Sequence, residues 1–182
     1  MSTLTVYRAD GSTAKPATSD FTAIARELKA IDIRFERWAT KEIPKGSDPN
    51  AVLVLYAGEI ERLKTEKHMV TVDVMRVLPN APNAKDIRAK FLAEHTHDDD
   101  EVRFFVEGSG AFYIRSGDLV YRIVCMAGDL ISVPKGTKHW ADTSERPDMT
   151  VVRFFCNPNG WEARFTGDEI AKRIPAYEPK AA

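Results

Sequence analysis

The sequence predicts a mainly β domain, a small barrel with several α-helices packed outside it, and three observations lead there. Apolar runs at 102–106, 111–115, 119–126, 130–133 and 150–155 are separated by turns at Gly108, Gly117, Gly128 and Gly136. Short strands at a spacing of roughly 8 to 12 residues, joined by Gly-containing turns, are the signature of a sandwich or barrel. Helical periodicity is confined mostly to the N-terminal half. With 182 residues, 43% apolar and 29% charged, the chain is long enough to bury a real core as one domain, and a coiled coil, a collagen and a wholly disordered chain are excluded.

Along the chain, residues 4–7 read as a short strand, and 9–19 as a turn-forming stretch. A helix from about Asp20 to Ala30 follows, where Phe21, Ile24, Ala25 and Leu28 form one stripe. Ile33, Phe35 and Arg37 alternate with Asp32, Arg34 and Glu36, a strand period, before a loop at 44–49. Asp48 and Pro49 read as N-cap and first residue of a helix reaching Lys67, the longest in the chain, with Val52, Tyr56, Ile60 and Leu63 along one side. Residues 70–78 read as a strand and 83–92 as a short helix with Ile87 and Phe91 on one face. After the barrel runs, 167–174 adds a short helix and the last residues are expected to fray. The division is a single domain 1–182: 1–92 packed on the barrel, 93–160 the barrel core, and 161–182 a C-terminal helix and tail.

Charge and cysteine content narrow the function. There are 26 Lys and Arg against 27 Asp and Glu, so the composition offers no basic face, and nucleic acid is not expected as a partner. Cys125 and Cys156 each sit in an apolar run, which suits buried thiols better than a disulfide. No run approaches the ~20 apolar residues of a membrane span, and the first residues resemble neither a signal nor a transit peptide. The expectation is a cytoplasmic monomer with no membrane partner.

Of the four histidines, His68 lies near the polar end of a helix and is read as structural. His95 and His97 are i and i+2, which on an extended segment puts both imidazoles on one face. Asp98, Asp99 and Asp100 can form a solvated turn, after which Glu101 starts a strand directed back at the pair. His139 closes the spacing G-x5-P-x-G-x2-H that begins at Gly128. Three imidazoles and one carboxylate suit a divalent first-row metal, and an octahedral ion would keep two adjacent positions for a bidentate oxygen ligand such as an enediol or α-hydroxyketone. A doubly deprotonated enediol needs a further cation; Arg103, at i+2 from Glu101, shares its inward face and is the candidate catalytic residue, with Arg153 second. Phe91, Phe104, Trp140 and Trp161 are candidate apolar walls for a substrate tail.

The strings H-x-H-x3-E-x6-G at 95–108 and G-x5-P-x-G-x2-H at 128–139 resemble the two cupin motifs, which implies a double-stranded β-helix, or jelly-roll, barrel. Thr143 stands where the second motif often has Asn. The segments RFERW at 34–38, EHTHDDDEVRFFVEGSGAFYIR at 94–115, DLISVPKGTKHW at 129–140 and NPNGW at 157–161 resemble the acireductone dioxygenase family over essentially the whole chain. That resemblance implies one Fe(II) or Ni(II) ion per chain and O2-dependent cleavage of 1,2-dihydroxy-3-keto-5-methylthiopentene in methionine salvage. The iron form of the family gives formate and 4-methylthio-2-oxobutanoate; the nickel form gives formate, carbon monoxide and 3-methylthiopropanoate. Ala141 departs from an aromatic common in relatives. Two alternatives stay open: a cupin oxygenase for a different enediol, and a metal-holding binding module without catalysis.

Overall fold

The computed structural model of the chain describes residues 1–44, 46–157 and 162–179. Strand β6 (Glu101–Ser116) belongs to both faces of an antiparallel barrel. Its first half pairs with β8 (Asp129–Val133) and β10 (Met149–Phe155), whose outer partners are β3 (Arg34–Arg37) and β4 (Thr71–Val77). Its second half pairs with β7 (Leu119–Met126) and β9 (His139–Asp142). From β7 the sheet continues to β1 (Thr3–Arg8) and β2 (Thr13–Thr18), and from β9 to β5 (His95–Thr96) and β11 (Arg164–Phe165).

The expected separate strands at 102–106 and 111–115 are therefore one strand, bent at Gly108 where it changes sheets. Gly108 has φ +70°, and a Cβ there would lie 1.7 Å from the Asp148 carbonyl oxygen. Only glycine permits both the left-handed backbone and that approach.

Alternation along the strands divides the interior. Phe105, Phe112, Ile114, Ile123, Ile131 and Val151 point into the barrel, where α1 (Phe21–Lys29) adds Ile24 and Leu28. Residues of opposite parity, Val102, Phe104, Leu130, Val152 and Phe154, face outward and are covered by α2 (Pro49–Leu55) and α3 (Ala57–Lys67). On the other sheet Tyr113 and Trp140 pack beneath Ile170, Ile174 and Tyr177. The buried Asp129 carboxylate ties three segments together, accepting from the Ser2 hydroxyl, the Arg37 guanidinium at 2.8 Å and the Met126 N–H at 2.9 Å.

Several local expectations are corrected. The stretch 9–19 contains β2, because an extended segment beside β1 completes its hydrogen bonds. The long helix from Asp48 to Lys67 is two helices broken at Tyr56, whose φ of −103° leaves the helical range. Tyr56 is fully buried, its ring 5.0 Å from that of Phe104, and its hydroxyl accepts from the Lys41 N–H. Asp48 is the N-cap and Pro49 the first residue, as the sequence indicates. The expected helix at 83–92 is α4 (Ala84–Phe91), and the one at 167–174 is a 3-10 turn at Ile170–Lys172. The tail is docked, not frayed, as far as it is described: the Tyr177 N–H donates to Asp142 and its hydroxyl pairs with Ser109 at 2.7 Å. Cys125 and Cys156 are both free, and His68 is an αL C-cap of α3. No helix among the described residues is long and apolar enough to cross a membrane.

Gly108→Ala should destabilise the protein by about 2–4 kcal/mol, combining left-handed strain with a backbone clash. Gly117→Ala, at φ +58° with nothing within 4 Å of the added Cβ, should cost only about 1–2 kcal/mol. Urea denaturation of the two variants would check the difference; equal losses would contradict a steric role for Gly108.

Candidate metal centre

His95, His97, Glu101 and His139 each turn one ligand atom to a common point, and those atoms lie within 4.8 Å of one another. Three segments supply them. β5 carries His95 and leads directly to His97, Glu101 opens β6, and His139 opens β9, opposite His95 in the ladder. The ring centroids are 4.6 to 5.2 Å apart.

Backbone carbonyls set the orientation of every imidazole. Nδ1 of His95 donates to the Ala93 oxygen, Nδ1 of His97 to the Glu162 oxygen, and Nδ1 of His139 to the Thr137 oxygen, each at 2.8 Å. A carbonyl oxygen only accepts, so each Nδ1 carries the proton, and a neutral ring then presents a bare lone pair at Nε2. The Glu101 carboxylate lies 2.8 Å from His97 Nε2 and 3.3 Å from His139 Nε2. Lone pairs converging this closely repel unless a cation stands among them. A proton satisfies one such pair; a divalent cation satisfies all four donors, so the donor set fits a metal.

The electrostatics follow from burial. Desolvation would raise the Glu101 carboxyl, but the Arg103 charge, joined by His139 and His97 whenever their Nε2 atoms carry a proton, outweighs it and holds the group well below the usual carboxylate range. Burial, with His139 nearby, pushes His95 down to about 4. For His97 the desolvation cost is outweighed by Glu101, and its pKa is raised.

Arg103 lies on the inward face with Glu101, Nη2 to Oε1 at 3.2 Å. It is fixed by donation to the Val102 oxygen at 2.9 Å and by lying over the Phe155 ring. Arg153 sits directly across the ladder from Arg103 but is engaged by Asp73 through two hydrogen bonds of 2.6 and 2.7 Å. The three aspartates form a bend that is only partly solvated, with Asp98 exposed and Asp99 buried. Asp98 pairs with Arg164, Asp99 accepts from the Cys156 and Asn157 N–H groups, and Asp100 accepts from the Lys135 N–H. They bind the ligand loop to β10, β11 and the turn before His139.

Two spaces adjoin the centre. A mouth of about 410 Å³ is bordered by His95, His97, Arg103, Arg153, Phe91 and Phe165. An inner cavity of about 40 Å³ runs from Glu101 and Arg103 into the barrel, with Phe91 and Met75 on the wall common to both spaces. Phe104 and Trp140 border neither. Phe104 packs against Trp38 and Tyr56, and Trp140 stacks on Tyr113 at 5.0 Å. Each follows an inward residue, Arg103 or His139, and so faces the opposite way. Trp161 lies outside the described residues.

Sequence reasoning missed Phe105 and Phe112 in the inner cavity and Phe165 at the mouth. It also missed Glu94, whose buried carboxylate anchors the ligand segment to Thr166 at 2.8 Å and Arg115 at 3.2 Å. For Phe105 a signal existed, its place at i+2 from Arg103.

A family model described as ARD/ARD' matches residues 3–163. An acireductone dioxygenase of Parvibaculum lavamentivorans is 51% identical over 98% of both chains. One of Hahella chejuensis is 48% identical over 98% of this chain and 97% of its own. Among solved structures, an acireductone dioxygenase from Bacillus anthracis with a cadmium ion in its active centre superposes with a TM-score of 0.80 at 22% identity, covering 91% of this chain and 98% of that one. That likeness establishes a shared fold.

His95→Ala and His139→Ala should each abolish metal retention, measured as metal per chain by mass spectrometry after gel filtration, whereas His68→Ala should retain it. Full occupancy in the first two would contradict the proposed ligand set.

Proposed function

The chain belongs to the acireductone dioxygenase family, and from that membership we propose that its centre uses one Fe(II) or Ni(II) ion to cleave 1,2-dihydroxy-3-keto-5-methylthiopentene with O2. It is a metal-dependent dioxygenase of methionine salvage acting on a small molecule. The observation that carries the finer reading is the convergence of His95, His97, Glu101 and His139 beside a buried arginine at the end of an apolar cavity.

The four residues would hold the ion, and their three imidazoles and single carboxylate suit either metal. When bound, the ion supplies Lewis-acid polarisation of the enediol oxygens. Glu101 leaves a divalent centre with a net charge near +1, so a dianionic enediolate brings one negative charge in excess. Arg103 supplies the compensating charge. Its guanidinium is buried, where a cation acts more strongly than in water, and is already oriented by Val102 and Phe155. Arg153 is the weaker candidate because Asp73 already matches its charge.

The chain's apolar walls orient the substrate and exclude water. Phe91 stands between the mouth and the inner cavity, placed to contact a tail that enters either. In this reading residues 1–182 act as one unit, since the segment after 160 supplies the carbonyl that orients His97.

With iron the products should be formate and 4-methylthio-2-oxobutanoate, and with nickel formate, carbon monoxide and 3-methylthiopropanoate. NMR product analysis with a carbon monoxide assay, on protein reconstituted separately with each metal, tests this; no turnover above metal-free controls with either would reject the reading. Arg103→Ala should keep metal stoichiometry while lowering kcat/KM by about a hundred-fold or more. Loss of metal in that variant would place Arg103 in ligand support instead.

A further inference from the structure

One arginine stands apart from the others. Among the described residues, every other arginine that is buried or half-buried has a carboxylate within 3.7 Å: Arg34, Arg76, Arg88, Arg103, Arg115 and Arg153. Arg122, half-buried in β7, has none among them. Its guanidinium lies 5.1 Å from the centre of the Tyr7 ring, and Nη1 makes a long contact of 3.4 Å to the Pro175 oxygen. Nε is buried without a hydrogen-bond partner. The Tyr113 hydroxyl nearby donates to that same carbonyl, and burial raises its pKa, so it stays neutral and brings no counter-charge.

A partly desolvated guanidinium without an anion is unfavourable, and an aromatic face offsets only part of that cost. Ile123 and Cys125 belong to the barrel interior, so by alternation Arg122, Val124 and Met126 lie on the outer face of the sheet. There they line a groove of about 770 Å³, with β1, β6 and β7 on one side and residues 175–179 on the other. That volume suits a small organic molecule. Ser109 and Tyr177 also line the groove, and their hydroxyls share one hydrogen bond of 2.7 Å, which leaves a second O–H free to donate. Glu178 borders it too but makes no ion pair with Arg122. No lining residue belongs to the donor set, the mouth or the inner cavity.

We infer that this groove binds a small monocarboxylate with an apolar body, its carboxylate paired with Arg122 and its body lying along Val124 and Met126. A planar guanidinium matches a carboxylate through two parallel N–H bonds. One arginine beside apolar side chains suits a single negative charge on an apolar molecule, whereas a polyphosphate would call for several cations. Glu178 adds to that limit, because it repels a more highly charged ligand more strongly. The site is separate from the metal centre and does not depend on the reaction proposed there.

The test titrates metal-loaded protein by calorimetry with hexanoate, with hexan-1-ol, which has the same length without the charge, and with inorganic phosphate. Hexanoate should bind about ten-fold more tightly than either of the others. Arg122→Gln should weaken hexanoate about ten-fold or more while leaving hexan-1-ol affinity and metal content unchanged. Arg122→Lys, which keeps the charge but not the fork, should fall between the two. Any binding at the metal centre would survive these substitutions. Glu178→Gln should tighten hexanoate about two-fold, and because Glu178 is exposed this variant carries the test if Arg122→Gln does not fold. The inference is overturned if the parent does not bind hexanoate, or if Arg122→Gln binds it with full affinity and stoichiometry, which would place the binding elsewhere. Equal affinity for hexan-1-ol would make the groove merely apolar, and equal affinity for phosphate would remove the apolar body from recognition; either result also overturns it. So does a Glu178→Gln variant that binds hexanoate no more tightly than the parent.

Discussion

A strand that serves two sheets must bend without losing its ladder, and β6 does so at a residue that lacks a Cβ. Before Gly108 its inward residues are Glu101, Arg103 and Phe105; after it, Phe112 and Ile114. The first group places a carboxylate and a guanidinium at one end of the barrel, and the second closes the interior beneath them. Because β8 and β9 pair with opposite halves of this strand, the turn between them brings His139 to the open end. The glycine of the first motif is therefore a geometric requirement of the site even though it touches no ligand.

Around the ligands the chain commits backbone groups where a less constrained site would rely on water. Three carbonyl oxygens orient three imidazoles, and each of Asp98, Asp99 and Asp100 holds a different neighbour of the ligand loop. Such outer partners hold rings in one tautomer and one direction, so the centre is shaped before any ion arrives. Glu101 is stable as a buried anion because the buried Arg103 cation faces it, an arrangement that also fixes Arg103 beside the four converging side chains.

The convergence of the four candidate ligands and the inward facing of Arg103 were legible because one rule, alternation on an extended strand, links i and i+2. The same rule, carried one residue further, places Phe104 and Trp140 on the outer faces, away from both spaces beside the centre. Other features were not legible in one string. β2, β5, β9 and β11 are too short or too polar to announce themselves and exist because a partner strand offers hydrogen bonds. The helix break at Tyr56 comes from a buried aromatic contact with Phe104, 48 positions away, and tertiary packing of that kind overrides helical periodicity. The docking of Tyr177 onto Asp142 is likewise a contact between distant segments.

The carbonyl that orients His97 belongs to Glu162, 65 residues further along the chain. During synthesis from the N-terminus, the first two histidines and the glutamate are made well before the last histidine, and the brace on His97 is made later still. The full coordination geometry therefore comes into being only when about nine-tenths of the chain has been polymerised. A growing chain passes through most of its length with an incomplete, poorly oriented donor set. Tight capture of an ion is thereby reserved for a polypeptide that has nearly finished folding.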